Sequence, residues 1–274
     1  MKKILVPTDF SKSAEYALKV AAQIAKKNNG EIVLIHMLEL PTSANVGVSG
    51  SYEIPELMLF KNAAVSKIDN LMESPFLEGI KVSKLIQFEM AFDGILSSVK
   101  AHNVDLIVMG SHGASGFQEM FIGSNTEKVV RNSDVPVLVI KKEDDNFNAN
   151  DFVFASDFSD NIREPFKKVV QFANEFNSRL HLVMINTPNS FKSTHVAQEI
   201  MDNFVAGFKI NNFTTNIYND VNVEKGILHF AKSIKADLIG MSTHGRKGLS
   251  HFFNGSISED LVNHAKRAVI TFKI

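Results

Sequence analysis

Residues 110–126 read GSHGASGFQEMFIGSNT and residues 242–258 read STHGRKGLSHFFNGSIS, and the two align without a gap. This repetition constrains the fold more than any other feature of the chain. FVFASDFSDN echoes ILVPTDFSKS with Asp157 lying 148 positions after Asp9, whereas Gly245 and Gly255 lie 132 positions after Gly113 and Gly123. A motif set that recurs in order marks a tandem repeat of one unit. The shrinking offset gives the first copy 16 extra residues, for which the Gly/Ser/Pro-containing PTSANVGVSGSYEIPE is the candidate.

Each copy alternates short, almost continuously apolar runs with helical patterns. In the first, ILVP, EIVLIHML, DLIVMG and VPVLVIK read as strands buried on both faces, with VSKLIQFEM as a fifth. SKSAEYALKVAAQIAKKNNG is the clearest helix, with Ser11 as N-cap and Asn29-Gly30 closing it. IPELMLFKNAAVSKIDNLM and DGILSSVKAHN are further helices, and LHLVMI, DLIGMS and AVITFK are later strands of the second copy. The polar KKEDDNFNAND between the copies reads as a break. The expected organisation is a domain over 1–142, a linker over 143–150 and a second domain over 151–274. Alternating β and α elements imply an α/β fold, two tandem doubly wound domains with parallel sheets and helices on both faces. Ligands of such sheets bind beyond the carboxyl ends of strands, where the strand order reverses.

Composition narrows the function classes. The absence of cysteine excludes disulfides and thiol chemistry. A net charge of -1 with no basic stripe argues against nucleic acid and anionic membranes. The N-terminal apolar run is broken by Pro7, too early for a signal peptide, and nothing approaches the roughly 18–20 apolar residues of a membrane span. The expectation is a soluble cytoplasmic protein. Six of nine histidines lie in the second half, but no HExxH or H-x3-H spacing groups them, so no metal site is expected. Fifteen of 22 phenylalanines follow residue 146, an enrichment suited to a core or an interface.

The glycine-rich segment carries the chemistry. Glycines at 110, 113, 116 and 123 permit positive φ and close ligand approach, and the helix beginning at Gly123-Ser124-Asn125-Thr126 offers free N–H groups to an anion. Neither a Walker A loop nor a GxGxxG fingerprint is present. On glycine content alone, a capped structural turn is an equal reading. Asp9 has two readings as well, helix cap or ligand contact. His112 and His244 either tie their loops together or touch a ligand, Met37 is core or site, and Glu119 is a solvated loop charge.

Taken together, Gly110-x2-Gly113-x9-Gly123-Ser124, the opening VPTDFS and the closing VPVLVIK resemble a universal stress protein domain, and SDFS, STHG-x9-GS and AVITFK resemble another. The resemblance covers nearly the whole chain. It implies five-stranded sheets of order 3-2-1-4-5 and ATP binding, and Thr8, Asp9 and Ser124 could help coordinate a Mg²⁺ on the bound nucleotide. By position, Pro7, Thr8, Asp9 and Met37 would face the nucleoside, Met109, Gly110, His112 and Gly113 would line the loop, and Gly123, Ser124, Asn125 and Thr126 would meet the phosphates. The corresponding second-half set is Ser156, Asp157, Ser242, His244, Gly245, Gly255, Ser256 and Ser258. Family members pair through the last strand, which implies an intrachain pseudo-dimer here and leaves room for a homodimer.

The second copy departs from the pattern at Ala155, Ser156 and Ser242, which replace Pro7, Thr8 and Gly110, and it gains Arg246 and Lys247. ATP is therefore expected in the first domain ahead of the second. No general base, Ser-His-Asp set or paired carboxylate spacing is present, so no enzyme is expected beyond slow hydrolysis. The reading is an ATP-binding stress-response or regulatory protein. The alternative is a scaffold or small-molecule binder of the same fold without nucleotide.

Overall fold

The computed structural model describes residues 1–39, 54–113, 122–243 and 261–274. In the first half, β1 (Lys3–Pro7), α1 (Lys12–Asn28), β2 (Glu31–Met37), α2 (Ile54–Met72), β3 (Lys81–Gln87), α3 (Ala91–Ala101), β4 (Leu106–Gly110), α4 (Ser124–Asn132) and β5 (Val137–Ile140) alternate. In the second, β6 (Asp151–Ala155), α5 (Arg163–Phe176), β7 (Arg179–Asn186), α6 (Thr194–Val205), β8 (Phe213–Asn219), α7 (Val223–Ser233), β9 (Leu238–Thr243) and β10 (Ala268–Lys273) repeat the order. Among the described residues, no helix is long and apolar enough to cross a membrane.

All ten strands form one sheet in the order β3-β2-β1-β4-β5-β10-β9-β6-β7-β8. Each half is a parallel 3-2-1-4-5 arrangement. The halves meet where β5 and β10 pair antiparallel, Val139 opposite Val269 and Leu138 opposite Ile270. The central strands are buried on both faces and contain little but Val, Ile and Leu. The outermost strands, KVSKLIQ and FTTNIYN, are more polar and more exposed, as free sheet edges require.

Strand alternation sends Ile4 and Val6 to one face and Leu5 to the other, and the same division builds two apolar layers. One layer lies under α1, α2, α5 and α6, the other under α3, α4 and α7. The second-half phenylalanines belong to the first layer: Phe152, Phe154, Phe166, Phe172, Phe204 and Phe272 are fully buried. Phe166 meets Phe204 with ring centroids 4.9 Å apart.

Local signals act as their chemistry dictates. The Ser11 side chain accepts from Ala14 N–H, and Asn29 closes α1 in the left-handed region at φ 47°. The same device recurs at Asn177, φ 55°. Asp105 accepts from the Lys2 and Lys3 N–H groups, and its counterpart Asp237 from Asp151 N–H, so each aspartate fastens one strand's start to its neighbour's.

Two sequence expectations change in detail. Ile54, Pro55 and Glu56 open α2, so the extra residues of the first copy are shared between the connection after β2 and a helix of 19 residues where α6 has 12. The connection over 40–53 lies outside the described residues. The polar break between β5 and β6 is strand-free and packs on α1: Gln23 bonds both Asp144 O and Phe147 N–H, and Lys19 pairs with Glu143.

Candidate functional site

Strand order reverses between β1 and β4, and the carboxyl ends of β1, β2 and β4 open there into a cleft of about 340 Å³. That volume is within the range of small-molecule sites, roughly 300–1,000 Å³. Its walls include Pro7, Thr8 and Asp9 after β1, Met37 at the end of β2, and Met109, Gly110, His112 and Gly113 at the end of β4. Gly123, Ser124, Asn125 and Thr126 complete it. All twelve first-half positions singled out in the sequence converge on this one space.

The β1 end is a stacked turn. Thr8 Oγ1 accepts Phe10 N–H at 3.1 Å, Asp9 Oδ1 accepts Ser11 N–H at 3.0 Å, and Phe10 takes φ 64°. Ser156, Asp157, Phe158 and Ser159 reproduce it at 3.0 and 3.1 Å, with φ 56° at Phe158. The T/S-D-F-S recurrence thus has a structural cause in both halves. The capping role of Asp9 is real, and its second oxygen faces Gly113.

The glycines act differently from the sequence expectation. None of Gly110, Gly113 and Gly123 has positive φ; Gly79 alone does so among the described glycines. Close approach explains them instead. A Cβ at Gly110 would stand 2.7 Å from the Ser13 backbone carbon and oxygen, and one at Gly113 would stand 2.8 Å from Asp9 Oδ2. Gly123 N–H donates to Ser111 O at 2.8 Å, which returns the loop to its point of departure. Gly116 and Glu119 lie outside the described residues.

Gly123 is the N-cap of α4 at φ -63°, ψ 141°, and no side chain caps the helix. The first-turn N–H groups, at the positive end of the helix dipole, therefore have no side-chain cap. Thr126 is buried, and its hydroxyl donates to Gly110 O at 3.0 Å, binding α4 to β4 and leaving only lone pairs for other use.

Sequence reasoning missed part of the wall, namely Ala14, Ile35, His36, Ala91 and Ile95, and it reached Glu39 only as part of the strand-end segment 37–39, without a role. His36 Nδ1 bonds Thr8 O at 2.8 Å, so Nδ1 carries the proton, since a carbonyl can only accept. Glu39 accepts Ala91 N–H at 2.8 Å and caps α3 from outside. Met37 lies along Gly94, whose Cβ would come within 2.5 Å of the Met37 sulfur. The signal for His36 and Glu39 is their position at the β2 carboxyl end, beside Met37.

Among the described residues, the space at the matching second-half strand ends is about 20 Å³, lined by Ala155, Ser156, Asp157, Met184, Ile185, Asn186, Ser190, Lys192 and Val223. Asn186 bonds the Lys192 carbonyl at 2.9 Å and holds the following turn over the space. Ser242 is not in its wall. It is fully buried within β9, and its hydroxyl has no hydrogen-bond partner. The helix-start turn matching Ser13 is 3-10 wound at Asp160–Ile162, where α1 is α-helical. His244, Gly245, Arg246, Lys247, Gly255, Ser256 and Ser258 lie outside the described residues. Among the described residues, no group of three His, Asp or Glu could hold a metal ion on its own.

A sequence model of the universal stress protein family matches residues 1–141 and 211–273. Universal stress protein MJ0577 of Methanocaldococcus jannaschii is 36% identical over 156 residues, covering 52% of this chain and 96% of its own length. Universal stress protein Slr1230 of Synechocystis is 21% identical, with both chains wholly covered. The crystal structure of a universal stress protein from Archaeoglobus fulgidus superposes with a TM-score of 0.74 at 22% identity, over 99% of this chain and 98% of that one.

Proposed function

The chain belongs to the universal stress protein family as a tandem member, and we propose that its first half binds ATP with Mg²⁺ as a cytoplasmic regulatory protein, without appreciable turnover. The observation that carries this reading is convergence. Residues picked from three separate sequence segments line one cleft at the strand-order switch, beside a helix N-terminus that no side chain caps.

The proposed roles follow from the chemistry of each wall. The apolar side made by Ile35, Met37, Ala91 and Ile95 suits a purine face. The first-turn N–H groups of α4 and the Ser124 hydroxyl suit phosphate oxygens. The carboxylate of Asp9 suits a Mg²⁺ that takes its other ligands from phosphates and water. Asp9 is exposed in the cleft wall, and its carboxylate lies against Gly113, where the phosphates would pass. Among the described wall residues, the Asp9 and Glu39 carboxylates accept backbone N–H groups and His36 Nδ1 is held by Thr8 O, which is in keeping with binding without fast hydrolysis.

The second half is proposed to serve mainly as a structural mate, supported by the space of about 20 Å³ that its described residues line. The β5–β10 pairing would then act as a dimer interface internal to one chain, and a homodimer would need another surface. Titration calorimetry with ATP and Mg²⁺ tests the reading. The wild type is expected to bind, and Gly113→Val, whose side chain would displace Asp9, is expected to lose most of the heat. Identical heats for the two proteins, or no heat from the wild type, would favour a scaffold or a binder of another small molecule.

A further inference from the structure

The second half grips α4 of the first half at both ends. Before its N-terminus, Ile122 N–H donates to Asn263 Oδ1 at 2.5 Å. At its C-terminus, Lys273 Nζ donates to Asn132 O at 3.1 Å and pairs with Asp134 at 2.7 Å, while Thr243 Oγ1 donates to Val130 O at 3.4 Å. These last contacts satisfy carbonyls that a helix end leaves open, and they set a cation at the negative end of the dipole.

Asn263 is itself well anchored. Residues 261–264 are helical, Leu261 and Val262 are fully buried, and Lys141 Nζ donates to Asn263 O at 3.5 Å. The lysine contact is reciprocal, since Lys141 matches Lys273 and each donates to a carbonyl near the end of the other half's last helix. The Asn263 contact is not matched in this way: the first-half position corresponding to Asn263 is Arg131, which pairs with Glu127 on its own helix, and the second-half position corresponding to Asp134 is Lys266. The two repeats thus differ at Asn263 and Asp134.

We infer that Asn263 is a positioning residue for the Ile122–Gly123 entry to α4, so that phosphate affinity in the first half is set partly by the second. The inference rests on the reading of the cleft as an ATP site. Its physical basis is that Ile122 immediately precedes the Gly123 cap. Fixing the Ile122 N–H fixes the direction from which the chain enters the α4 N-terminus. Releasing it loosens the Ile122–Gly123 entry, which must be ordered again when phosphates bind.

The test uses the full chain and two readouts. Calorimetry compares Mg²⁺-ATP with adenosine, which lacks phosphates, on wild type and Asn263→Leu, with Asn263→Ala in reserve should leucine prevent folding. Hydrogen exchange follows the Ile122 amide without nucleotide, with Asn263→Asp as the variant that keeps an acceptor oxygen. A lost hydrogen bond predicts ATP binding about 5- to 10-fold weaker in Asn263→Leu and adenosine binding changed less than about twofold. Exchange at Ile122 should be faster in Asn263→Leu and close to wild type in Asn263→Asp. Wild-type ATP affinity with wild-type exchange would overturn the inference, and so would an equal loss for both ligands. Should the wild type bind neither ligand, the ATP reading fails by itself. Faster exchange in Asn263→Leu would then still support the brace, and unchanged exchange would overturn it.

Discussion

Gly110 and Ser242 occupy one position in two copies, and their difference is decided by packing. Gly110 is excluded from bearing a side chain by the Ser13 backbone at 2.7 Å, not by its own φ. Gly110→Ala is therefore expected to destabilise the first half by about 1–3 kcal/mol, the usual cost of overpacking, measured by denaturant unfolding. Ser242→Ala should instead be neutral or stabilising by up to about 1 kcal/mol, since the buried hydroxyl has no partner to lose. Asp9 separates structure from binding. Asp9→Asn keeps the oxygen that accepts Ser11 N–H, so the melting temperature should hold while affinity for Mg²⁺-ATP falls. Equal affinity for Asp9→Asn and wild type would assign Asp9 to the turn alone. The sequence presented the TDFS recurrence as a possible ligand signature. Its hydrogen bonds in both copies identify it first as a turn, which single-residue spacing cannot reveal because a cap and a ligand use the same carboxylate.

At the scale of elements, the helices and strands were the most legible part of the chain. Continuous Val/Ile/Leu runs gave the buried parallel strands, and Ser11 and Asn29 gave the ends of α1. The glycine loop was legible in position but not in mechanism, because close approach between α1, β4 and α4 is a tertiary fact. His36, and the role of Glu39, escaped for the same reason: their bonds to Thr8 O and Ala91 N–H join elements far apart in sequence. Two charged groups at the junction should leave a pH signature. Lys273 holds the Asp134 carboxyl below its ordinary value, so this contribution is present above the unfolded-state value and is lost as pH falls through the folded one. Urea unfolding between pH 5 and pH 3 (about that range) should show a smaller acid-induced loss in Asp134→Asn than in wild type. Burial pushes Lys141 down to about 8. The cost of burying its charge is present below that pH and is relieved as pH rises toward the unfolded value of 10.5, so wild type should gain stability over this window relative to Lys141→Met.

On the scale of the whole molecule, duplication produced one ten-stranded sheet from two five-stranded halves, joined at β5 and β10. The repeat was legible from offsets in the sequence. The continuity of the sheet is fixed by the antiparallel pairing of two last strands, which no local pattern encodes. Nor could the sequence show a cleft of about 340 Å³ in the first half, against about 20 Å³ for the space that the described residues line in the second. In the second half Met184 stands where the first has His36, and Asn186 bonds the Lys192 carbonyl beside the smaller space. The central claim is a single nucleotide per chain, held in the first half. A crystal structure grown with ATP and Mg²⁺ tests it most directly. The account predicts density for one nucleotide, its base between Met37 and Ile95 and its phosphates against Gly123–Thr126, with the second-half space empty. Nucleotide density in the second half alone, or none in the first at saturating ATP, would contradict it.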